Sequence, residues 1–320
     1  GLKRDKNWLL HDFLELSREV EAEHPDVDVY IWPEGAFRGG PANKRNHELI
    51  DFAREASAEV WTGSSVSVGK KPHRTRHGAA FRIDADGTVD EPYLKTVLLP
   101  FGEYMPLAKV FPILRKIKGV GNFDPGDGAR VFDTPHGRMS YVICYEAIRS
   151  RYVRQAMKRG ADLLVNGTYE GWFGDSACPH QHLMLAAVQS ASHGVPMVRS
   201  ATTGISAFID AAGRLKRTSP VFERAALVDD SPHYVVPTPY TALGDWFAAL
   251  AVLLSFGLLQ RGARRPTAPW DRRAWLGLVV FVAAAPIAWV VIRTAPTLDL
   301  LTWGYAMVVV IATPLRGWQR

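Results

Sequence analysis

The chain has 320 residues, is 47% apolar and carries a formal net charge of +6 at pH 7. It is too long for one small domain, and its apolar fraction allows a sizeable core with hydrophobic segments to spare. Much of the arginine excess lies in one short segment between apolar stretches, so anionic lipid is a simpler partner than nucleic acid.

Helix and strand signals alternate through the first 240 residues. Helical spacing of apolar residues predicts helices near 7–22 and 44–57, each followed by an apolar run that favours a strand. Further strands are predicted in GRMSYVICYE, ADLLVNG and VPMVRSAT, with helices at 147–159 and 179–193 between them. This alternation predicts a layered α/β sandwich.

One of the two cysteines lies where a predicted strand meets a predicted helix. The sulfur of Cys144 is expected near the positive end of a helix dipole, which favours the thiolate. That position suits a nucleophile, although most lone cysteines are buried core residues. Cys178 is predicted to be a free thiol, because a disulfide with Cys144 would consume the nucleophile.

A catalytic thiol needs a base and donors for the oxyanion that forms on attack. No papain-type or caspase-type signature surrounds Cys144, and no metal-ligand spacing or phosphate-binding glycine loop occurs. Carboxylate and lysine candidates are better placed: Glu34 directly follows a strand, where open α/β sheets place their sites. Lys95 lies in an apolar strand and Glu103 in a loop. Each also has an ordinary explanation: Glu34 as a solvated turn residue, Lys95 as a charge on an edge strand and Glu103 as part of a loop salt bridge.

Residues 236–320 are predicted to form a membrane region, separate from a catalytic domain at 1–235. Three apolar stretches approach the roughly 20 residues that cross a bilayer, and buried core helices are the alternative. These stretches lie near 241–259, 274–292 and 298–315. The arginine-rich loop that follows the first stretch is expected in the cytoplasm. The catalytic domain lies on the other side of that stretch and is therefore expected in the periplasm of a bacterium. No apolar signal precedes Gly1, so we expect a fragment.

Five segments occur in a fixed order along the chain: WPEGAF, LKTVLLPFGEYMP, VICYEAI, GWFGDSACPHQH and VRSATTGISAFID. Together they resemble the apolipoprotein N-acyltransferase family of the nitrilase, or carbon-nitrogen hydrolase, superfamily, over most of residues 8–259. The resemblance implies a nitrilase-like αββα sandwich followed by C-terminal transmembrane helices. It also implies that an amino-terminal membrane bundle and the first strand of the catalytic domain are missing, and that the last two spans exceed the family pattern.

The resemblance implies a Glu-Lys-Cys triad. Glu34 would be the general base, Lys95 the lysine that orients the base and holds the oxyanion, and Cys144 the nucleophile. Four further roles are implied: Glu103 as a second carboxylate, Tyr145 and Glu146 as supports beside the nucleophile, and Trp8 as a substrate contact.

The implied reaction is ping-pong acyl transfer from a phospholipid to the α-amine of an S-diacylglyceryl-cysteine apolipoprotein, the last step of bacterial lipoprotein maturation. It needs no metal and no diffusible cofactor, and it takes place at the inner membrane. The apolar loop MPLAKVFPILRKIKGV is either an interfacial lid or a packed amphipathic helix. Two other functions stay open: a membrane-tethered amidase with water as acceptor, and a catalytically inactive binding module. The intact triad argues against the binding module.

Overall fold

The computed structural model describes residues 8–70, 72–108, 110–117 and 119–263. The α-helices within these residues are α1 (Trp8–Glu23), α2 (His47–Glu55), α3 (Ser150–Lys158), α4 (Cys178–His193), α5 (Pro239–Leu243) and α6 (Trp246–Ala263). The strands are β1 (Val29–Glu34), β2 (Glu59–Val68), β3 (Thr75–Ile83), β4 (Tyr93–Leu94), β5 (Val131–Thr134), β6 (Gly137–Ile143), β7 (Leu163–Tyr169), β8 (Met197–Thr202), β9 (Ala207–Ile209) and β10 (Leu215–Thr218).

The strands form two sheets. The first has the order β1-β2-β3-β4, in which β1 and β2 are parallel and the other neighbours antiparallel. The second has the order β10-β9-β8-β7-β6-β5, with a parallel centre of β6, β7 and β8 and antiparallel strands at both sides. Because β6 and β7 run in parallel, their carboxyl ends lie at the same edge of the second sheet.

The two sheets pack face to face, with helices on both outer surfaces. Trp61 of β2 stacks on Tyr141 of β6, with ring centroids 6.2 Å apart, and contacts Phe132 of β5 edge-on. Helices α1 and α2 cover the first sheet through a cluster that contains Leu10 and Phe52. Buried side chains of α3 and α4 join the cluster that contains Trp61. The predicted α/β sandwich is therefore confirmed as four layers of helix, sheet, sheet and helix.

Several elements differ from the sequence prediction. The predicted strand around Lys95 contains only Tyr93 and Leu94, and Lys95 follows it directly. The helix predicted at 147–159 begins at Ser150, because Cys144–Ile148 form a short 3-10 helix first. Strand β5 has four residues, too few to show the alternation by which strands are recognised in a sequence.

The segment predicted as the first span, 241–259, is not one helix. The chain leaves α5 at Gly244, which has a φ of 68° that favours glycine, and α6 begins at Trp246. None of the helices in the described part of the chain is both long and apolar enough to cross a bilayer. The spans predicted at 274–292 and 298–315 lie outside the described residues, and the membrane region stays a prediction.

Candidate active site

Glu34 is the last residue of β1, where the strand is irregular. Pro33 has no backbone N–H, so it cannot donate to β2, and the pairing register shifts between Ile31 and Glu34. Glu34 then lies opposite Gly63, at which a Cβ atom would come within 2.9 Å of the Glu34 Cα. Glycine at position 63 therefore allows this close approach of the two backbones.

Lys95 lies between two carboxylates. Its Nζ atom is 3.5 Å from Oε1 of Glu34 and 2.6 Å from Oε1 of Glu103, and only 1% of its side chain is exposed. The second oxygen of Glu103 accepts a hydrogen bond of 2.8 Å from the backbone N–H of Leu99. The structure thus brings Glu34, Lys95 and Glu103 together from three separate segments.

Cys144 directly follows β6 and has a φ of +48°. A non-glycine residue in this left-handed region costs about 1–3 kcal/mol, so the surrounding structure must hold the turn. Its burial and the charge of Glu34 raise the pKa of the thiol to about 11, against the attraction of Lys95. Cys144 lies at the predicted junction of a strand and a helical element, the 3-10 helix Cys144–Ile148, whereas α3 begins only at Ser150. Burial and Glu34 oppose the thiolate that the predicted helix dipole would favour.

The three candidate triad residues are electrostatically coupled to one another. Burial raises the pKa of Glu34, the positive charge of Lys95 opposes this, and Glu103 adds to it. Burial alone would lower the pKa of Lys95, but Glu34, Cys144 and Glu103 outweigh it and raise the pKa. The resting site therefore pairs a protonated thiol with a carboxylate whose proton affinity is increased and a lysine that keeps its charge.

Glu146 connects the turn at Cys144 to the segment after Lys95. Its Oε2 accepts a hydrogen bond of 2.8 Å from the backbone N–H of Ile143. Its Oε1 accepts from the Tyr93 hydroxyl at 2.6 Å and from the backbone N–H groups of Thr96 and Val97 at 2.7 and 2.9 Å. Since all four partners donate, this buried carboxylate fixes the strained turn relative to Lys95.

At pH 4.5, Glu146→Gln is expected to lower the free energy of unfolding by about 1–3 kcal/mol. The amide nitrogen cannot accept the hydrogen bonds of the oxygen that it replaces, which number one at Oε2 and three at Oε1. Burial raises the pKa of Glu146 from 4.5 to about 7, so its contribution to stability is full below pH 4.5 and is lost as the pH rises through 7. Urea unfolding should therefore show the difference between wild type and variant narrowing over that range. The exposed control Glu91→Gln should change stability by less than about 0.5 kcal/mol. A Glu146→Gln effect that small at pH 4.5 would contradict the stabilising role of Glu146.

A second buried network lies behind Cys144, and the sequence prediction missed it. Arg199 Nη2 lies 2.6 Å from Oε1 of Glu170, which is also 2.6 Å from Nδ1 of His182. Nε2 of His182 lies 3.3 Å from the carbonyl oxygen of Cys144, and Nη1 of Arg199 hydrogen-bonds to the side chain of Asn166. Burial alone would raise the pKa of Glu170, but His182 and Arg199 hold it below its ordinary value.

The remaining predicted residues occupy different positions. The hydroxyl of Tyr145, the residue after Cys144, accepts a hydrogen bond of 2.9 Å from Arg149, whose guanidinium lies over the tyrosine ring. Trp8 is the first residue of α1, with 40% of its side chain exposed. Its role as a substrate contact stays a prediction. Both Cys144 and Cys178 are free thiols.

The loop that carries Glu103 is apolar and exposed. Leu107, Val110, Phe111 and Ile113 are between 54% and 68% exposed. The only helical element recorded in its described residues is the 3-10 helix Pro112–Lys116. Of the two predicted alternatives, the packed amphipathic helix is therefore wrong for this segment, and the lid stays a prediction. Contiguous apolar surface of this kind commonly marks an interaction site.

Comparison with known proteins gives consistent matches. The carbon-nitrogen hydrolase family model matches residues 3–235. Two curated proteins named apolipoprotein N-acyltransferase, from Geobacter metallireducens and Bdellovibrio bacteriovorus, are 34% and 33% identical over 73% and 78% of this chain. The chain spans about half their length, 45% and 49%. The crystal structure of a carbon-nitrogen hydrolase from Helicobacter pylori G27 matches with a TM-score of 0.56 at 13% identity, covering 69% of this chain and 83% of that one. That likeness concerns the fold.

Proposed function

The chain belongs to the carbon-nitrogen hydrolase family, and we propose that it transfers a fatty acyl chain from a phospholipid to the N-terminal amine of S-diacylglyceryl-cysteine apolipoproteins. The names of the curated relatives support this proposal. The structural observation that carries it is the loop around Glu103, which connects the charged cluster to exposed apolar side chains. A small water-soluble amide would not contact such an apolar surface, whereas the acyl chains of a lipid ester would.

In the first half-reaction, Sγ of Cys144 attacks the carbonyl carbon of the sn-1 ester while Glu34 takes the thiol proton. The raised pKa of Glu34 makes it a stronger base for this proton. The Lys95 ammonium and the backbone N–H of Tyr145 stabilise the oxyanion. The ester C–O bond then breaks, and the departing lysophospholipid oxygen takes the proton back from Glu34. The product is a thioester on Cys144.

In the second half-reaction, the α-amine of the diacylglyceryl cysteine attacks the thioester carbon. Glu34 takes a proton from the attacking nitrogen, and Lys95 again faces the oxyanion. The C–S bond breaks, the amide is released, and the thiolate recovers its proton from Glu34. Glu103 keeps Lys95 charged through both halves, because its carboxylate lies 2.6 Å from the ammonium.

We place this chemistry at the bacterial inner membrane, with the catalytic domain on the periplasmic side. Both substrates carry acyl chains in a bilayer, so a site held against the outer leaflet meets them by lateral diffusion. The exposed apolar side chains around Phe111 would enter the interface between headgroups and acyl chains.

The experiment is a transfer assay with the purified 320-residue chain in mixed micelles of detergent and radiolabelled phospholipid. A synthetic diacylglyceryl-cysteine peptide should become labelled as an amide, and the same peptide with an acetylated amine should not. If all label appears as free fatty acid, in equal amounts with and without the peptide, water is the acceptor and the membrane-tethered hydrolase is correct instead. No label in either product contradicts both.

A further inference from the structure

Thr168 carries a buried hydroxyl beside the candidate nucleophile. It belongs to β7 and is fully buried. The parallel pairing of β6 and β7 sets Ile143 opposite Gly167, so Cys144 and Thr168, the next residue of each, are neighbours at the same edge of the sheet. Within the residues that the structure describes, Oγ1 of Thr168 has no hydrogen-bond partner in the resting state, the sulfur of Cys144 included.

The register of β6 and β7 sets the Cys144 thiol beside this hydroxyl. Burial and the charge of Glu34 raise the pKa of the thiol, and Lys95 and the Thr168 hydroxyl oppose this. A protonated thiol is a weak acceptor, so a hydroxyl beside it gains little in the resting state. A thiolate is a much stronger acceptor, since hydrogen bonds to charged groups are stronger than those between neutral groups. The donor therefore acts chiefly when the thiol proton has left.

We propose that Thr168 is a further catalytic residue: its hydroxyl donates a hydrogen bond to Sγ of Cys144 as the proton passes to Glu34, and again when the thiolate leaves the thioester. Stabilisation that exists only in the charged state lowers the barrier rather than strengthening substrate binding. The inference rests on the proposed role of Cys144 as the nucleophile, but not on the identity of the acyl donor or acceptor.

The test measures how fast iodoacetamide alkylates Cys144 at pH 8, by intact mass, in a Cys178→Ala background. Thr168→Val removes the hydroxyl at nearly constant volume and is expected to slow alkylation about 3- to 10-fold. Thr168→Ser keeps the hydroxyl and should alkylate within about 2-fold of the parent. Thr168→Ala, which also lacks the hydroxyl, should be slow like the valine variant.

Thr62 provides a matched control. It is also fully buried, and its hydroxyl also lacks a hydrogen-bond partner among the described atoms, but it lies in the middle of β2. Thr62→Val should leave the alkylation rate unchanged. Thermal unfolding of every variant shows whether a slow rate reflects loss of structure.

Alkylation of Thr168→Val and Thr168→Ala at the parent rate would overturn the inference, and so would a Thr168→Ser variant as slow as these two. The proposed function has a separate readout, the labelled peptide amide. If the enzyme makes no amide but the Thr168→Val and Thr168→Ala variants are alkylated slowly, the proposed acceptor is wrong and the role of Thr168 stands. If the enzyme makes the amide but the Thr168 variants are alkylated at the parent rate, only the role of Thr168 is wrong.

Discussion

Lys95→Met should reduce the rate of thioester formation on Cys144 by at least about 10³-fold. Loss of a single oxyanion donor typically costs about 10²–10³ in rate. Lys95 also holds Glu34 and Glu103 in place with its Nζ atom, and its positive charge opposes the effect of burial on the pKa of Glu34. Without this cation the two carboxylates face each other, and one of them must take up a proton.

The rate is measured in a single turnover, by quenching the enzyme at intervals after mixing with phospholipid and determining the acylated fraction from its intact mass. Lys216→Met is the matched control, because it removes the same charge from an exposed position in β10. It should react like wild type. A Lys95→Met enzyme that is acylated within about 10-fold of the wild-type rate would contradict the role assigned to the lysine.

Arg199→Met is expected to lower the free energy of unfolding by about 3–5 kcal/mol, because it leaves a buried carboxylate without its cation. Both Arg199 and Glu170 have fully buried side chains, and the guanidinium also bonds to the Ile205 carbonyl and the side chain of Asn166. Burial by itself lowers the pKa of the arginine, and Glu170 opposes this. The methionine fills similar space but supplies no hydrogen-bond donor.

Urea unfolding of the variant is compared with that of Arg217→Met. This control removes an arginine of β10 that pairs with Asp229 at the surface. That control should cost less than about 1 kcal/mol. The double variant Arg199→Met with Glu170→Leu should recover part of the loss, since no uncompensated charge is then buried. If Arg199→Met cost no more than Arg217→Met, the network would not stabilise the fold as the structure indicates.

Regular periodicity made most of the fold predictable. Helices α1 and α4 and the parallel strands β6, β7 and β8 show apolar patterns long enough to distinguish a period of 3.6 from a period of 2. The two-residue strand before Lys95 and the 3-10 helix after Ile143 are too short for any periodic signal. Their form depends on tertiary contacts, chiefly the four hydrogen bonds that Glu146 accepts.

The position of the candidate site could be predicted because β1 ends at Glu34 and β6 ends one residue before Cys144, whereas its electrostatics could not. Local position suggested a lowered thiol pKa, but burial and Glu34, distant in sequence, raise it. The network around Glu170 was missed for a related reason. Spacing along a helix gives no partner for His182, which is buried and meets Glu170 and Arg199 from other elements.

We expect Cys144 to carry the acyl group between donor and acceptor. The most direct measurement is peptide mapping by mass spectrometry after incubation with phospholipid, without an acceptor peptide. We expect the mass of one fatty acyl chain on the peptide that contains Cys144, removed by neutral hydroxylamine and absent from Cys144→Ala. An acyl group found on Cys178 or on a serine instead, or an adduct that persists in Cys144→Ala, would contradict the account.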